Sequence, residues 1–198
     1  MTKSLTTPTL NITRLTEQLW TGGDLPEGLT EAVSHIKAWH NLGIRTIIDN
    51  RFEWNDADVV AAVEPEITYL HAGVGDAGQR MPDWWFDGVT AFAQDAIDAG
   101  HGVLLHCHMG INRGPSAAFA VLLATGWDPV AAIDLIRANR PIAAVGYAED
   151  ALDWWQRKAD LPTSERIVQR NALRRWRQGN PHDTVRIIRQ IRAAERER

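Results

Sequence analysis

The stretch Gly102 to Ser116 constrains the fold of this chain more than any other. An apolar run, Val103-Leu104-Leu105, leads into His106 and the single cysteine, Cys107; a tight polar turn containing Gly110 and Gly114 follows, and from Pro115 onward the sequence is Ala-rich with helical spacing. The pattern predicts strand, loop and helix in close succession. A loop in that position turns successive backbone N–H groups toward a common centre, and the following helix adds the positive end of its dipole. The junction is therefore suited to an anion.

Cys107 stands at the start of the loop and Arg113 at its end, with five residues between them. A free thiol is mostly protonated at neutral pH, but a helix N-terminus and a nearby guanidinium can lower a cysteine pKa into the range of about 3.5–7.5, which leaves a thiolate nucleophile. Arg113 can fork onto two oxygens of a phosphoryl group, and Gly110 lets the backbone approach an anion closely. A lone cysteine that ends a strand is more commonly a small buried hydrophobe. The combination of strand, Cys-x5-Arg loop and helix favours the nucleophile.

His106-Cys107-x5-Arg113 resembles the signature loop of the cysteine-dependent protein tyrosine phosphatases, and the chain from about Asn11 to Asp160 resembles their dual-specificity branch. The resemblance implies that Cys107 is the nucleophile and that Arg113 holds phosphate together with the loop His108, Met109, Gly110, Ile111, Asn112 and Gly114. His106 and Ser116 would support them, and an upstream aspartate would be the general acid. It implies metal-independent hydrolysis of a phosphomonoester through a phosphocysteine, with no cofactor. Two residues depart from the family pattern: Gly114 stands where Ser or Thr is usual, and Asn112 where dual-specificity members commonly have Ser. Some nucleic-acid triphosphatases of the superfamily carry Asn there. A phosphoinositide, an RNA 5′-phosphate or an RNA 5′-triphosphate is thus an alternative substrate to a phosphorylated protein, and a catalytically weak phosphate-binding module is an alternative to an enzyme.

The 198 residues suit one ordinary domain, and 44% hydrophobic with 23% charged residues are globular values. One cysteine forms no internal disulfide. No apolar run approaches the ~18–20 residues of a membrane span, and Met1 to Gly22 lacks the basic start and apolar centre of a signal peptide, so the expected compartment is the cytoplasm. The histidines are scattered without a metal-ligand pattern.

Along the chain, residues 1–10 read as a loose arm, and Asn11 to Trp20 as two short strands. Pro26 to His40 reads as a helix, Arg45 to Asp49 as a buried strand ending in a turn at Asp49-Asn50-Arg51, and Ile67 to Leu70 as a second strand. The following loop, His71 to Pro82, contains Asp76, 31 positions before Cys107, among Gly73, Gly75 and Gly78. Glycines make the segment pliable, and the resemblance places the general acid at Asp76. A turn aspartate accepting a backbone N–H is the plainer reading of the same residue. Asp83 is a rival carboxylate, but after Pro82 it reads as a helix start that satisfies backbone amides.

Helices are expected over Trp84 to Ala99, Ser116 to Thr125, from Asp128 as N-cap with Pro129 at the first position, and over Tyr147 to Lys158. Arg140 reads more readily as a solvated arginine at a helix C-terminus than as a support behind the phosphate loop. Most of the nine tryptophans read as core. These segments predict a single α/β domain over residues 11–160, with a mixed, mainly parallel sheet of four or five strands flanked by helices.

Residues 161–198 form a helical C-terminal extension of different composition. From Thr163 on, ten arginines face four acidic residues, so the extension is net +6 and the rest of the chain −10. Such a segment can contact an acidic partner, anionic lipid or nucleic acid, or fold back on its own acidic domain. The stripe of Val185, Ile188 and Ile191 needs cover, which favours folding back.

Overall fold

The protein is described here by a computed structural model, which covers residues 6–7 and 10–196. One sheet contains β1 (Thr6–Thr7), β2 (Ile12–Arg14), β3 (Leu19–Gly22), β4 (Ile44–Arg51), β5 (Thr68–Val74) and β6 (Gly102–His106), in the order β1-β2-β3-β6-β4-β5. Apart from the two-residue β1, these are the five strands expected. The pairs β3/β6, β6/β4 and β4/β5 are parallel, and the first two hairpin pairs are antiparallel. β6 is buried along its whole length, as befits an apolar run covered on both faces. Cys107 therefore leaves the sheet at the carboxyl end of its central strand, where ligand sites form in open α/β sheets.

Helices α1 (Leu29–Asn41) and α2 (Ala57–Val63) cover one face, where Ile36 and Trp39 meet Ile44, Ile47, Val60 and Leu104. The other face is covered by α3 (Asp83–Asp98), α4 (Arg113–Ala124), α5 (Pro129–Asn139) and α6 (Ala148–Lys158). Eleven of the twelve residues of α4 are buried, and its small side chains let the sheet, α3 and α6 approach it closely. The helix α2 was not expected. Its valines and alanines, with two aspartates nearby, carry no clear helical period in so short a segment.

Three local expectations are corrected. Asp49-Asn50-Arg51 is not a turn: β4 continues through it because Arg51, fully buried, pairs there with Asp49, Asp56 and Asp24. β5 likewise runs on to Val74, since Gly73 lies where a Cβ would be only 2.4 Å from Arg51 O. Asp83 does not cap amides. It is the first residue of α3, and its carboxylate takes both bonds of Arg157 Nη2 (2.7 and 2.9 Å). Asp128, by contrast, caps Val130 and Ala131 N–H as expected.

The extension forms α7 (Thr163–Gly179) and α8 (Thr184–Arg196). α7 folds back onto α5 and α6: Leu173 is fully buried in the main core, Arg170 pairs with Asp153 (3.0 Å) and Arg174 with Glu149 (2.9 Å). Burying one leucine contributes about 1.5–3 kcal/mol, whereas each exposed ion pair adds about 0–1 kcal/mol, so Leu173 is the main anchor. Among the described residues, no helix is long and apolar enough to cross a membrane.

Candidate functional site

The loop between β6 and α4 is held from outside by its carbonyls. His108 O accepts from Asp24 N–H (2.8 Å), Met109 O and Gly110 O from Arg140 (3.2 and 2.6 Å), and Ile111 O from Ala144 N–H (2.7 Å). Across a planar trans peptide the N–H points opposite to the C=O. The amides of Met109, Gly110, Ile111 and Asn112 consequently face the other way, toward the hollow of the loop. Gly110 makes the path possible: its φ is +64°, and a Cβ would lie 2.5 Å from Gly22 C.

Arg140 is therefore not a solvated helix-end arginine. It is 5% exposed and also reaches Asn11 Oδ1 (2.9 Å) and Thr13 Oγ1 (3.3 Å). Burial pushes its pKa down to about 10, against the pull of nearby Cys107, so it remains charged at neutral pH.

Cys107 is 2% exposed, and its N–H donates to Gly22 O (3.2 Å). Arg113, at the start of α4, is 4% exposed and forks onto Glu53: Nη1 to Oε2 at 2.8 Å and Nη2 to Oε1 at 2.9 Å. Nη1 also donates to Val74 O (3.1 Å), while Nε has no hydrogen-bond partner among the described residues. Burial opposes the charge on Arg113, but the bonds to Glu53 and the neighbouring Cys107 and Asp76 hold its pKa above the ordinary value. The same bonds hold the Glu53 carboxyl below the usual carboxylate range, outweighing its burial.

Asp76 is brought over this loop. Its Oδ2 is 3.6 Å from Arg113 Nε, and its Oδ1 accepts from Asn112 Nδ2 (2.7 Å) and Tyr147 Oη (2.8 Å). Asn112 Oδ1 in turn accepts from Gly146 N–H (2.5 Å) and Ser116 Oγ (3.4 Å). Partial burial and the Asp76 carboxylate push Tyr147 up to about 12, so its hydroxyl is a donor at neutral pH. A cleft of about 360 Å³ opens beside Asp76, lined by Gln79, Arg80, Asn112, Gly146, Tyr147 and Asp150 among others.

The two histidines next to Cys107 have different surroundings. His106 is buried against Trp39 with Nε2 3.8 Å from Asp49 Oδ1, and its carbonyl accepts from Asn50 Nδ2 (3.0 Å). Burial lowers its pKa more than Asp49 raises it. His108 is half-exposed, with Nδ1 3.3 Å from Asp24 and its ring edge-on to Trp54 at 5.4 Å. Ser116 is buried and bonded to Asn112 and to Tyr147 N–H (3.3 Å); no hydroxyl among the described residues bonds Cys107 Sγ. At Gly114 a Cβ would be 3.0 Å from Leu105 O and 3.1 Å from His106 C, so the close approach of α4 to β6 uses the glycine.

Sequence reasoning missed Glu53 and Tyr147. The first sits in an irregular segment with no motif around it, and the second was assigned only to a helix start; a polar ring at the edge of that helix was the sole signal.

No family model matches the chain. It is 32% identical over 127 residues to Protein phosphatase Slingshot homolog 3 of Mus musculus, which covers 62% of this chain but only 17% of that protein. The chain thus spans about a sixth of the length of that relative. Among solved structures, a mouse putative dual specificity phosphatase complexed with zinc tungstate superposes with a TM-score of 0.63 at 19% identity, covering 82% of this chain and 98% of that one. PTPMT1 in complex with PI(5)P gives a TM-score of 0.63 at 17% identity, covering 76% and 97%. The chain resembles the dual-specificity branch of the cysteine-dependent protein tyrosine phosphatases in sequence and has its fold.

Proposed function

We propose that this chain hydrolyses phosphomonoesters through a phosphocysteine on Cys107. The observation that carries the reading is the set of loop carbonyls held from outside, which turns the amides of Met109 to Asn112 inward next to Arg113, whose Nε has no hydrogen-bond partner among the described residues and lies 3.6 Å from Asp76 Oδ2. Such donors stabilise the charge on the equatorial oxygens of a transferring phosphoryl group.

In the first step, the Cys107 thiolate attacks phosphorus and the bond to the ester oxygen breaks. Asp76 gives that oxygen its proton, so the alcohol or phenol leaves neutral. In the second, water attacks phosphorus, Asp76 takes a proton from it, the S–P bond breaks and phosphate departs. Glu53 keeps the guanidinium of Arg113 oriented through both steps.

A phosphorylated protein with an aromatic leaving group suits the rim best. Phe52 (61% exposed) and Trp54 (46% exposed) flank Glu53, and Trp54 lies against His108 of the loop. An apolar wall of this kind favours phosphotyrosine over phosphoserine or phosphothreonine. A nucleic-acid substrate is supported less, because Asn112, the residue that suggested it, is engaged with Asp76 and Gly146. The test is turnover of an aryl phosphate and a phosphotyrosine peptide in the presence of a metal chelator. Radiolabel from a phosphorylated substrate is expected on the parent and not on Cys107→Ser, with the base resistance of a phosphorylated thiol; base-labile, acid-stable label, or label retained by Cys107→Ser, would remove Cys107 as the nucleophile.

A further inference from the structure

The segment from Ile142 to Tyr147 supplies two of the groups that hold Asp76: Gly146 N–H bonds Asn112, and Tyr147 Oη bonds Asp76 itself. Between them and the helix behind lies Val145, with φ of +49°. A β-branched residue in the left-handed region is strained and persists only where its surroundings over-determine it. Here the isopropyl group is fully buried in the main core, and Arg177 Nη2 donates to the Val145 carbonyl.

Arg177 belongs to the C-terminal extension. One turn before it on α7, Leu173 is buried in the core; Arg174 bonds Glu149 (2.9 and 3.0 Å), and beyond the helix His182 Nε2 meets Ile142 O (3.1 Å). The extension thus grips the segment at Ile142 and at Val145. Among the described residues it makes no hydrogen bond or ion pair with Cys107 or Asp76.

We propose that Arg177 is a positioning residue for Asp76: by holding the Val145 carbonyl it fixes the left-handed turn that aims Gly146 N–H at Asn112 and the Tyr147 hydroxyl at Asp76. The inference rests on the phosphatase reading and extends the catalytic unit into residues 161–198. With the bond removed, Val145 relaxes toward negative φ, its peptide plane turns, and Asp76 loses two of its three tethers.

The test is Arg177→Met in the full chain. The expected result is a loss of about tenfold in kcat/KM on an alkyl phosphate, a fraction of the 10²–10⁴ that a general acid supplies, with a loss of no more than about twofold on an aryl phosphate whose leaving group scarcely needs the proton. Inhibition by orthovanadate stays within about twofold, and Arg177→Lys recovers part of the alkyl-phosphate rate. Equal losses on both substrates, or none, overturn the proposal. Amide exchange decides it independently of turnover: Gly146 N–H exchanges faster in Arg177→Met while the strand β6 amides do not, and parent-like exchange at Gly146 overturns it. A parent chain inert toward every phosphomonoester would sink the phosphatase reading while leaving the exchange result intact. Should Arg177→Met not fold, Arg177→Gln, whose shorter side chain stops short of Val145, is read in the same two assays.

Discussion

The two sides of the site are built in opposite ways. Cys107, Arg113 and the inward amides are fixed by buried elements: the end of β6, the start of α4, Arg140 behind the loop and the Asp49–Arg51 cluster beside it. Asp76 instead hangs from a partly exposed loop with Gly75 and Gly78 around it, tethered by three side chains, Asn112, Tyr147 and Arg113. On the proposed mechanism, the difference separates binding from proton transfer. A phosphate-binding half that keeps its shape without a ligand spends no binding energy on ordering itself, whereas an acid that must admit a substrate and release an alcohol has to move. Damage to the frame of the first half, the nucleophile itself apart, should therefore change affinity and stability, and damage to the second should change only the steps that need a proton.

The largest effect expected is at the nucleophile. Cys107→Ser abolishes turnover but retains phosphate binding, measured by calorimetry, because the amides and Arg113 remain. Loss of binding as well would mean that the loop does not hold its shape alone. Next comes Asp76→Ala, which should lower kcat/KM by about 10²–10⁴ on alkyl phosphates and far less on activated aryl phosphates. Equal losses on the two would remove Asp76 from the mechanism and leave it a turn residue.

On the buried side, Arg51→Met should cost about 3–5 kcal/mol in urea denaturation, since it removes the main countercharge of Asp49 and leaves that carboxyl in the interior with the Tyr69 hydroxyl as its remaining side-chain donor. In the parent, burial raises the Asp49 pKa but the Arg51 contacts outweigh it and hold the carboxyl below the usual range; without Arg51, burial pushes the carboxyl up, so the variant must either keep a buried charge or take up a proton. A change under about 1 kcal/mol would show that the desolvation cost of burying the Arg51 guanidinium cancels the attraction of its three carboxylates.

A smaller effect is expected from His106. Its folded pKa is below the ordinary histidine value, mainly through burial, so the unfolded chain binds the proton more readily. Its stabilising contribution is present above the unfolded pKa of about 6.5 and is lost as pH falls from there toward the folded value. Thermal denaturation between pH 7 and 5 should show that decline, and His106→Gln should flatten it. An unchanged slope would assign the decline to other groups.

The two sides also differed in how far the sequence disclosed them. Cys107, Arg113, Gly110 and the helix after them form one continuous segment, so their spacing carried strand, loop and helix together. The resemblance and the glycines around it point to Asp76, and the structure brings it to the loop. Its tethers come from Asn112 and from Tyr147, 71 positions downstream, and no local pattern connects residues that far apart. Glu53 and Arg140 were illegible for a related reason. A charged residue in a loop or at a helix end reads as solvated, and only the folded chain reveals that Glu53 is paired with Arg113 and that Arg140 is closed in against a row of carbonyls.

The smallest effect, and the one that most sharpens the contrast, concerns Gly114. The resemblance implies that a hydroxyl after the arginine assists the sulfur as a leaving group, which predicts that its absence slows breakdown of the phosphocysteine and that Gly114→Ser raises kcat. The packing argues the other way. A serine Cβ would sit 3.0 Å from Leu105 O and 3.1 Å from His106 C and Cα, all backbone of the central strand, so α4 must move by a few tenths of an ångström. In a loop whose amides and guanidinium are fixed by burial, such a shift has no flexible side chain to absorb it. Gly114→Ser is accordingly expected to cost about 1 kcal/mol of stability, within the usual range for overpacking, and to lower kcat and kcat/KM together by about two- to fivefold, as small misplacements of a catalytic group do. Pre-steady-state phenol release decides between the two: a burst in the parent that disappears in a faster Gly114→Ser enzyme would mean that the missing hydroxyl limits turnover. A linear time course with a slower variant would mean that glycine is kept here for the contact between helix and strand.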